Sequence, residues 1–574
     1  MAAKVIIPVV GLLLVVGIVI GVVSSVNRGP KDPATGDENL TPHMKAVDQI
    51  CQPTNYKEEC VKSLSGANST DPKDLIKAGI LAIAESLKKS FNLSDDLVAK
   101  AEKDKDTART KTALSDCKEL LQDASDKLQD IMEKVGASDL STIANRSDDF
   151  RIWISYVISY QEMCVDGFDQ DSTVRTDVRD STEVGSQLTD NVLTILGGIQ
   201  QVLGSFGLKL NLTSLASGGG GGGDQEEHHR RLLSQDNGFP SWMSAADRKL
   251  LQSTPKMTPN AVVAKDGSGQ YKTISAALAA YPKNFQGRYV IYVKAGVYAE
   301  QATVGKGMKN VYMYGDGARK SIVTGHLSYA KDGLGTWKTA SFIVEADGFI
   351  ARSMGFQNTA GPEGHQAVAV RSLSDQSAFI NCRLDGFQDT LCYQGGRQLF
   401  RNCVLSGTID FLFGYGAVVV QNSLIIVRRP MANQFNTVTA DGKKERGQPT
   451  GIVIQNCRIV PEAKLVPDRF TLKTYLGRPW KDFATTVVME SELGDLIQPD
   501  GWKPWDGTIF LDTCFYGEYA NRGPGANTAR RVTWKGVHSV LSRAEAMRWT
   551  VDSFLKGREW VANTGANVIY GLKG

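Results

Sequence analysis

The sequence predicts two folds in series: an all-α up-down four-helix bundle, then an all-β right-handed parallel β-helix. Three observations carry that expectation. Apolar residues recur at helical spacing between residues 44 and 215, six consecutive glycines (Gly218–Gly223) interrupt the chain, and short β-rich runs then return with a period near 21 residues. At 574 residues the chain is too long for one ordinary core, so more than one domain is expected.

The chain opens with "MAAKVIIPVVGLLLVVGIVIGVVSSVNRGPKD", in which no charge falls between Lys4 and Arg28. Residues 1–28 are expected to act as a signal peptide or a signal anchor, since the run has no polar face and nearly spans a bilayer. Five Asn-x-Ser/Thr triplets, headed by Asn39, Asn68, Asn92, Asn145 and Asn211, agree with export, and all lie before residue 224.

Between residues 44 and 215, "DPKDLIKAGILAIAESLKKSF" places Leu75, Ile76, Ile80, Ile83 and Leu87 on one helical face behind Asp71-Pro72. "KELLQDASDKLQDIMEKV" repeats the pattern with Leu120, Leu121, Leu128, Ile131 and Met132. Short polar breaks between such segments suggest the bundle. Cys51, Cys60, Cys117 and Cys164 fall here, and four cysteines in an exported segment suggest two disulfides. Residues 216–251 read as a linker: the glycine run cannot hold regular structure. Two basic-apolar tetrads, "RRLL" (230–233) and "RKLL" (248–251), mark candidate protease sites in it.

Residues 252–574 carry 38 Lys and Arg against 26 Asp and Glu, a net +12, whereas residues 1–251 carry 27 against 36, a net −9. A basic second half suits a polyanionic partner. Here the phrases "FINCRLDG", "FRNCVLSG", "VQNSLIIV" and "IQNCRIV" recur, with asparagines at Asn358, Asn381, Asn402, Asn422 and Asn456. Each coil is expected to hold about three short strands, with the asparagines stacking coil on coil and a longer loop in the coil where the gap is 34. Cys382, Cys392, Cys403, Cys457 and Cys514 leave at least one thiol unpaired if pairing stays within this half.

The repeat gives spacing a meaning. Asp389, in "GFQDTL", and Asp410, in "GTIDFLFG", are 21 residues apart, and Gln366 and Gln388 are 22 apart. Two carboxylates beside two amides should therefore stack on adjacent coils, roughly 4.8 Å apart at the backbone. Neighbouring acids do not both ionise easily, so one keeps a proton and serves as an acid beside a base or nucleophile. The amides can donate to a developing oxyanion. No Gly-x-Ser-x-Gly elbow accompanies them.

"GTIDFLFG", "GFQDTL", "GHQAVAVR", "YLGRPW" and "VVAKDGSGQYKTI" together resemble plant pectin methylesterases over residues 260–574, and the first half resembles the inhibitor-type pro-domain of long members of that family. The resemblance implies a pectinesterase β-helix at 252–574 behind an inhibitor-like helical pro-domain at 44–215, with "RRLL" and "RKLL" as processing motifs for a subtilisin-like protease. It implies hydrolysis of galacturonate methyl esters in pectin (homogalacturonan), with no cofactor, no metal and no nucleic-acid partner. Asp410 matches the nucleophile, Asp389 the proton donor and Gln388 the transition-state stabiliser. Gln366, Arg478, Trp480 and Thr336 match substrate-site residues, and Arg478 matches the partner of the nucleophile. The implied destination is the extracellular cell wall, or apoplast, reached through the secretory pathway, and the implied protein partners are the chain's own pro-domain or separate inhibitors. Two departures stand out: Cys392 replaces a usual tyrosine, and Ser423 replaces a cysteine that would pair with Cys403.

Three other readings remain. A pectate lyase shares the solenoid but needs calcium ligands and a basic proton acceptor. A polygalacturonase needs acids set apart for water, about 6.5–9.5 Å. A non-enzymatic wall-binding protein would release no methanol from esterified pectin.

Overall fold

The structure is a computed structural model that describes residues 40–103, 108–170, 172–208 and 258–573. The expected signal or anchor segment, the glycine linker, both basic tetrads, Asn39 and Asn211 lie outside the described residues. Among the described residues, no helix is long and apolar enough to cross a membrane. The chain forms two units, a helical one before residue 211 and a β-rich one after it.

In the helical unit, four long helices pack as a bundle: α1 (Pro72–Lys103), α2 (Ala108–Ala137), α3 (Ser147–Asp166) and α4 (Thr173–Gly197). The Asp71 carboxylate accepts the N–H of Lys73 at 2.7 Å, capping α1 where Pro72 fixes the first helical φ. Leu75, Ile76, Ile80, Ile83 and Leu87 of α1 are buried, as are Leu120, Leu121, Leu128 and Ile131 of α2, while Met132 is half-buried. The four cysteines form two disulfides, Cys51–Cys60 and Cys117–Cys164.

The β unit is a right-handed parallel β-helix. Its three sheets have 11, 7 and 8 strands, and successive coils pair in parallel. Inward side chains build one continuous core, in which Phe379 stacks on Phe400 with ring centroids 4.7 Å apart. The sheets meet at turns that need a left-handed residue. Asn381, Asn402, Asn422 and Asn456 supply it with φ between 52° and 56°, a region asparagine tolerates better than most residues. Asn422 donates to Asn402 Oδ1 at 2.6 Å, Asn456 donates to Asn422 Oδ1 at 3.0 Å, and Lys573 ends the run on Asn456 Oδ1 at 3.4 Å.

The ladder departs from the expected one at Asn381, whose buried Oδ1 has no hydrogen-bond partner among the described residues, and at Asn358. Asn358 lies inside a strand and spends its amide on the carbonyls of Leu327, Thr339 and Val368. Ser353 takes the left-handed turn in that coil, at φ 56°. All five cysteines of this half are free and buried.

Candidate active site

Five strands of the seven-stranded sheet carry the site: β1 (Val370–Ser372), β2 (Leu391–Tyr393), β3 (Leu412–Gly414), β4 (Asn436–Asp441) and β5 (Thr474–Gly477). They pair in that order, with Val370 opposite Leu391, Leu391 opposite Leu412 and Leu412 opposite Thr439. Asp389 and Asp410 each lie two residues before a paired leucine, so the 21-residue register sets them on adjacent coils. The Asp389 N–H donates to the Ile409 carbonyl at 3.0 Å, fixing this step. Both acids hold positive φ, 64° and 50°, which projects them from the turn ahead of the sheet. Gly414 closes the motif at φ 146°, where any Cβ would collide with the Tyr393 carbonyl oxygen.

The two acids have unlike surroundings. Asp410 is 5% exposed and is bound by donors from two residues. Arg478 Nε reaches Oδ1 at 2.9 Å and Oδ2 at 3.2 Å, and Nη2 reaches Oδ2 at 2.5 Å. The Thr437 hydroxyl donates to Oδ1 at 2.6 Å and accepts Asp410's own N–H at 2.9 Å. Asp389 is 8% exposed, and among the described residues no group hydrogen-bonds its carboxyl. Burial pushes its pKa well above the usual carboxylate range, the charge of Asp410 pushes it further, and Arg478 opposes them. Burial also disfavours the charge on Arg478, but the charge and hydrogen bonds of Asp410, with the charge of Asp389, outweigh that and raise its pKa. One acid is thus held as a paired carboxylate and its neighbour is favoured as a neutral acid.

Gln366 and Gln388 are half-buried, and among the described residues neither side-chain amide has a hydrogen-bond partner. The Gln388 carbonyl accepts from Ala367 at 3.2 Å, placing the two amide-bearing turns on neighbouring coils. Trp480 packs against Tyr415, Phe413 and Trp505, at 4.9, 5.8 and 6.4 Å between ring centroids. Thr336 opens a short 3-10 turn in the loop before the strand Phe342–Val344, two coils from Asp389, and forms no hydrogen bond to either acid. Cys392 is buried in an apolar cluster with Ile343, Val368 and Phe413, against which Trp480 and Trp505 pack. Burial pushes its thiol up to about 12, so it is a neutral filler. Ser423 accepts the N–H of Cys403 at 3.0 Å and donates to the Gln421 carbonyl, which suits a structural place in the stack of coils.

Sequence reasoning missed three residues here. Thr437 binds Asp410, Trp505 lies 4.0 Å from the Arg478 guanidinium, and Asp441 is fully buried at the end of β4. Asp441 accepts from the backbone N–H groups of Thr485 and Lys443, and burial pushes its pKa up to about 7. Among the described residues no cluster of three His, Cys, Asp or Glu is arranged to hold a metal.

Residues 260–558 match the family model described as Pectinesterase, and residues 45–195 match that described as Plant invertase/pectin methylesterase inhibitor. Pectinesterase 4 of Arabidopsis thaliana is 42% identical over 599 residues, covering 100% of both chains. A probable pectinesterase/pectinesterase inhibitor of Brassica napus is 41% identical over 589 residues, covering 99% of both. Among solved structures, pectin methylesterase from carrot is 48% identical, aligns over 56% of this chain and 100% of its own, and superposes with a TM-score of 0.55.

Proposed function

The chain belongs to the pectinesterase family and is a pectin methylesterase, and we propose that it works through an aspartate nucleophile on galacturonate methyl esters of cell-wall pectin. The observation that carries the mechanism is the inequality of the two acids: Asp410 bound by Arg478 and Thr437, Asp389 buried with no hydrogen bond to its carboxyl among the described residues. In this reading the Asp410 carboxylate attacks the ester carbonyl carbon, and the carbonyl electrons move onto its oxygen. The side-chain amides of Gln388 and Gln366 donate to that oxyanion. Collapse breaks the bond to the methoxy group, Asp389 gives it a proton, and methanol leaves behind an acyl anhydride on Asp410. Asp389, now ionised, takes a proton from water, whose oxygen cleaves the anhydride and restores both acids. Trp480 offers an aromatic face to the sugar, and Thr336 contributes a contact at the edge of the groove.

Residues 1–28 direct export, residues 44–215 form the inhibitor-like pro-domain, and a subtilisin-like protease cuts after "RRLL" or "RKLL" in the 216–251 linker, freeing an enzyme of residues 252–574. The three described sequons, Asn68, Asn92 and Asn145, are exposed, as glycan acceptors must be. The pro-domain or separate inhibitors are its protein partners. Extracellular protein should then begin near Gln252; only full-length chain in that fraction would refute the processing step.

The decisive assay is methanol release from esterified pectin, with polymer length followed in parallel. Methanol without shortening fits an esterase. Shortening would point to a hydrolase or lyase, and no methanol to a binding protein.

A further inference from the structure

A carboxylate oxygen offers two in-plane lone pairs. At Asp410 Oδ1 both are occupied, by the Thr437 hydroxyl at 2.6 Å and by Arg478 Nε at 2.9 Å. Oδ2 has one short partner, Arg478 Nη2 at 2.5 Å, and among the described residues its other hydrogen-bond contact is the longer 3.2 Å approach of the same Nε that already serves Oδ1. The Thr437 hydroxyl has no freedom to turn elsewhere. Its oxygen receives the N–H of Asp410 at 2.9 Å, so its hydrogen is directed at Oδ1. Thr437 is itself fully buried on β4. A closed ring therefore runs from the Asp410 backbone through the threonine and back to the Asp410 side chain, fixing the carboxylate plane.

We infer that Thr437 selects the attacking oxygen: by filling Oδ1 it leaves Oδ2 as the atom that bonds to the ester carbon. The inference rests on the reading of Asp410 as nucleophile. An Oδ2 lone pair forms the new C–O bond, the carbonyl π electrons move to the carbonyl oxygen, and collapse breaks the bond to methoxide, which takes the Asp389 proton. In the resulting anhydride Oδ1 is the aspartyl carbonyl oxygen, and it keeps the donors it had before attack. Without the hydroxyl, both oxygens have an open position and the carboxylate can rotate away from the productive plane.

The test uses the full chain with Thr437→Val, Thr437→Ser and Asp410→Asn, assayed by methanol release across pH. Thr437→Val is expected to lower kcat about ten- to a hundredfold, the range of one hydrogen bond to a charged group. KM should stay within a fewfold. The acid limb of kcat/KM should move to higher pH, because a bond that favours the charged carboxylate is gone. Thr437→Ser keeps the hydroxyl and should restore both the rate and the limb. If Thr437→Val does not fold, Thr437→Cys carries the same measurement, a thiol being a weak donor. Near-normal turnover in Val or Cys overturns the inference. So does a lower rate with an unmoved acid limb, which would mark a purely structural residue. Turnover by Asp410→Asn is the separate outcome that would sink the nucleophile reading itself.

Discussion

The guanidinium of Arg478 meets the carboxylate of Asp410 edge to edge, with Nη2 on Oδ2 at 2.5 Å and Nε on Oδ1 at 2.9 Å. Its Cζ lies 4.0 Å from the centre of the Trp505 ring. Lysine can supply the charge but not the two parallel donors. Arg478→Lys should therefore lower kcat/KM for methanol release by about ten- to a hundredfold. A loss within twofold would remove the fork from the mechanism.

Asp389 is an acid whose pKa is raised in the folded state. Its ionisation opposes folding, a penalty absent below its ordinary value of 3.8 that grows as pH rises toward the folded value. Asp389→Asn should thus abolish turnover while raising Tm at pH 7 by roughly a few degrees. The gain should vanish near pH 3. Equal melting of the two proteins at both pH values would contradict the buried, unpartnered environment.

At Asp441 the same sign applies over a defined window. Its carboxyl is held at about 7 against an ordinary 3.8, so the wild type loses stability between those values as pH rises. Asparagine can still accept from Thr485 and Lys443 through its carbonyl oxygen. Asp441→Asn should be more stable than wild type at pH 8, by at most a few kcal/mol, and equal to it near pH 3. Denaturant unfolding at the two pH values measures the difference.

The two disulfides close loops of unequal length, with separations of 9 residues for Cys51–Cys60 and 47 for Cys117–Cys164. Chain-entropy arguments assign about 2.6 kcal/mol to the first and about 4 kcal/mol to the second. Replacing Cys117 and Cys164 together by serine should destabilise the helical unit more than replacing Cys51 and Cys60. Chemical denaturation followed by helical circular dichroism would rank them.

The parts of this molecule legible in the sequence are those governed by a period. Leu75 and its helical partners read out the face of α1, and the spacing of 21 alone sets Asp389 and Asp410 on neighbouring coils. Asn358 misled because a strand asparagine and a turn asparagine look alike in one dimension. Thr437 was invisible for a different reason. It lies 27 residues beyond Asp410, in a coil lengthened by the segment between Val427 and Asn436, so no simple repeat points to it. Arg478, 68 residues from its partner, emerged only through resemblance to a family, since pairing across coils leaves no local pattern. Asp441 gave no signal, because burial depends on what packs around a strand end.

The asparagine ladder joins Asn402 to Asn422 across 20 residues and Asn422 to Asn456 across 34, with hydrogen bonds of 2.6 and 3.0 Å. This spine counts coils and takes no notice of how much chain each coil contains. Mutation can therefore lengthen or shorten a loop between strands without shifting the next rung. The rim of the groove is free to drift in size and chemistry while the two acids stay one step apart. Lineages built on such a spine can vary what they grip while keeping unchanged what they cut.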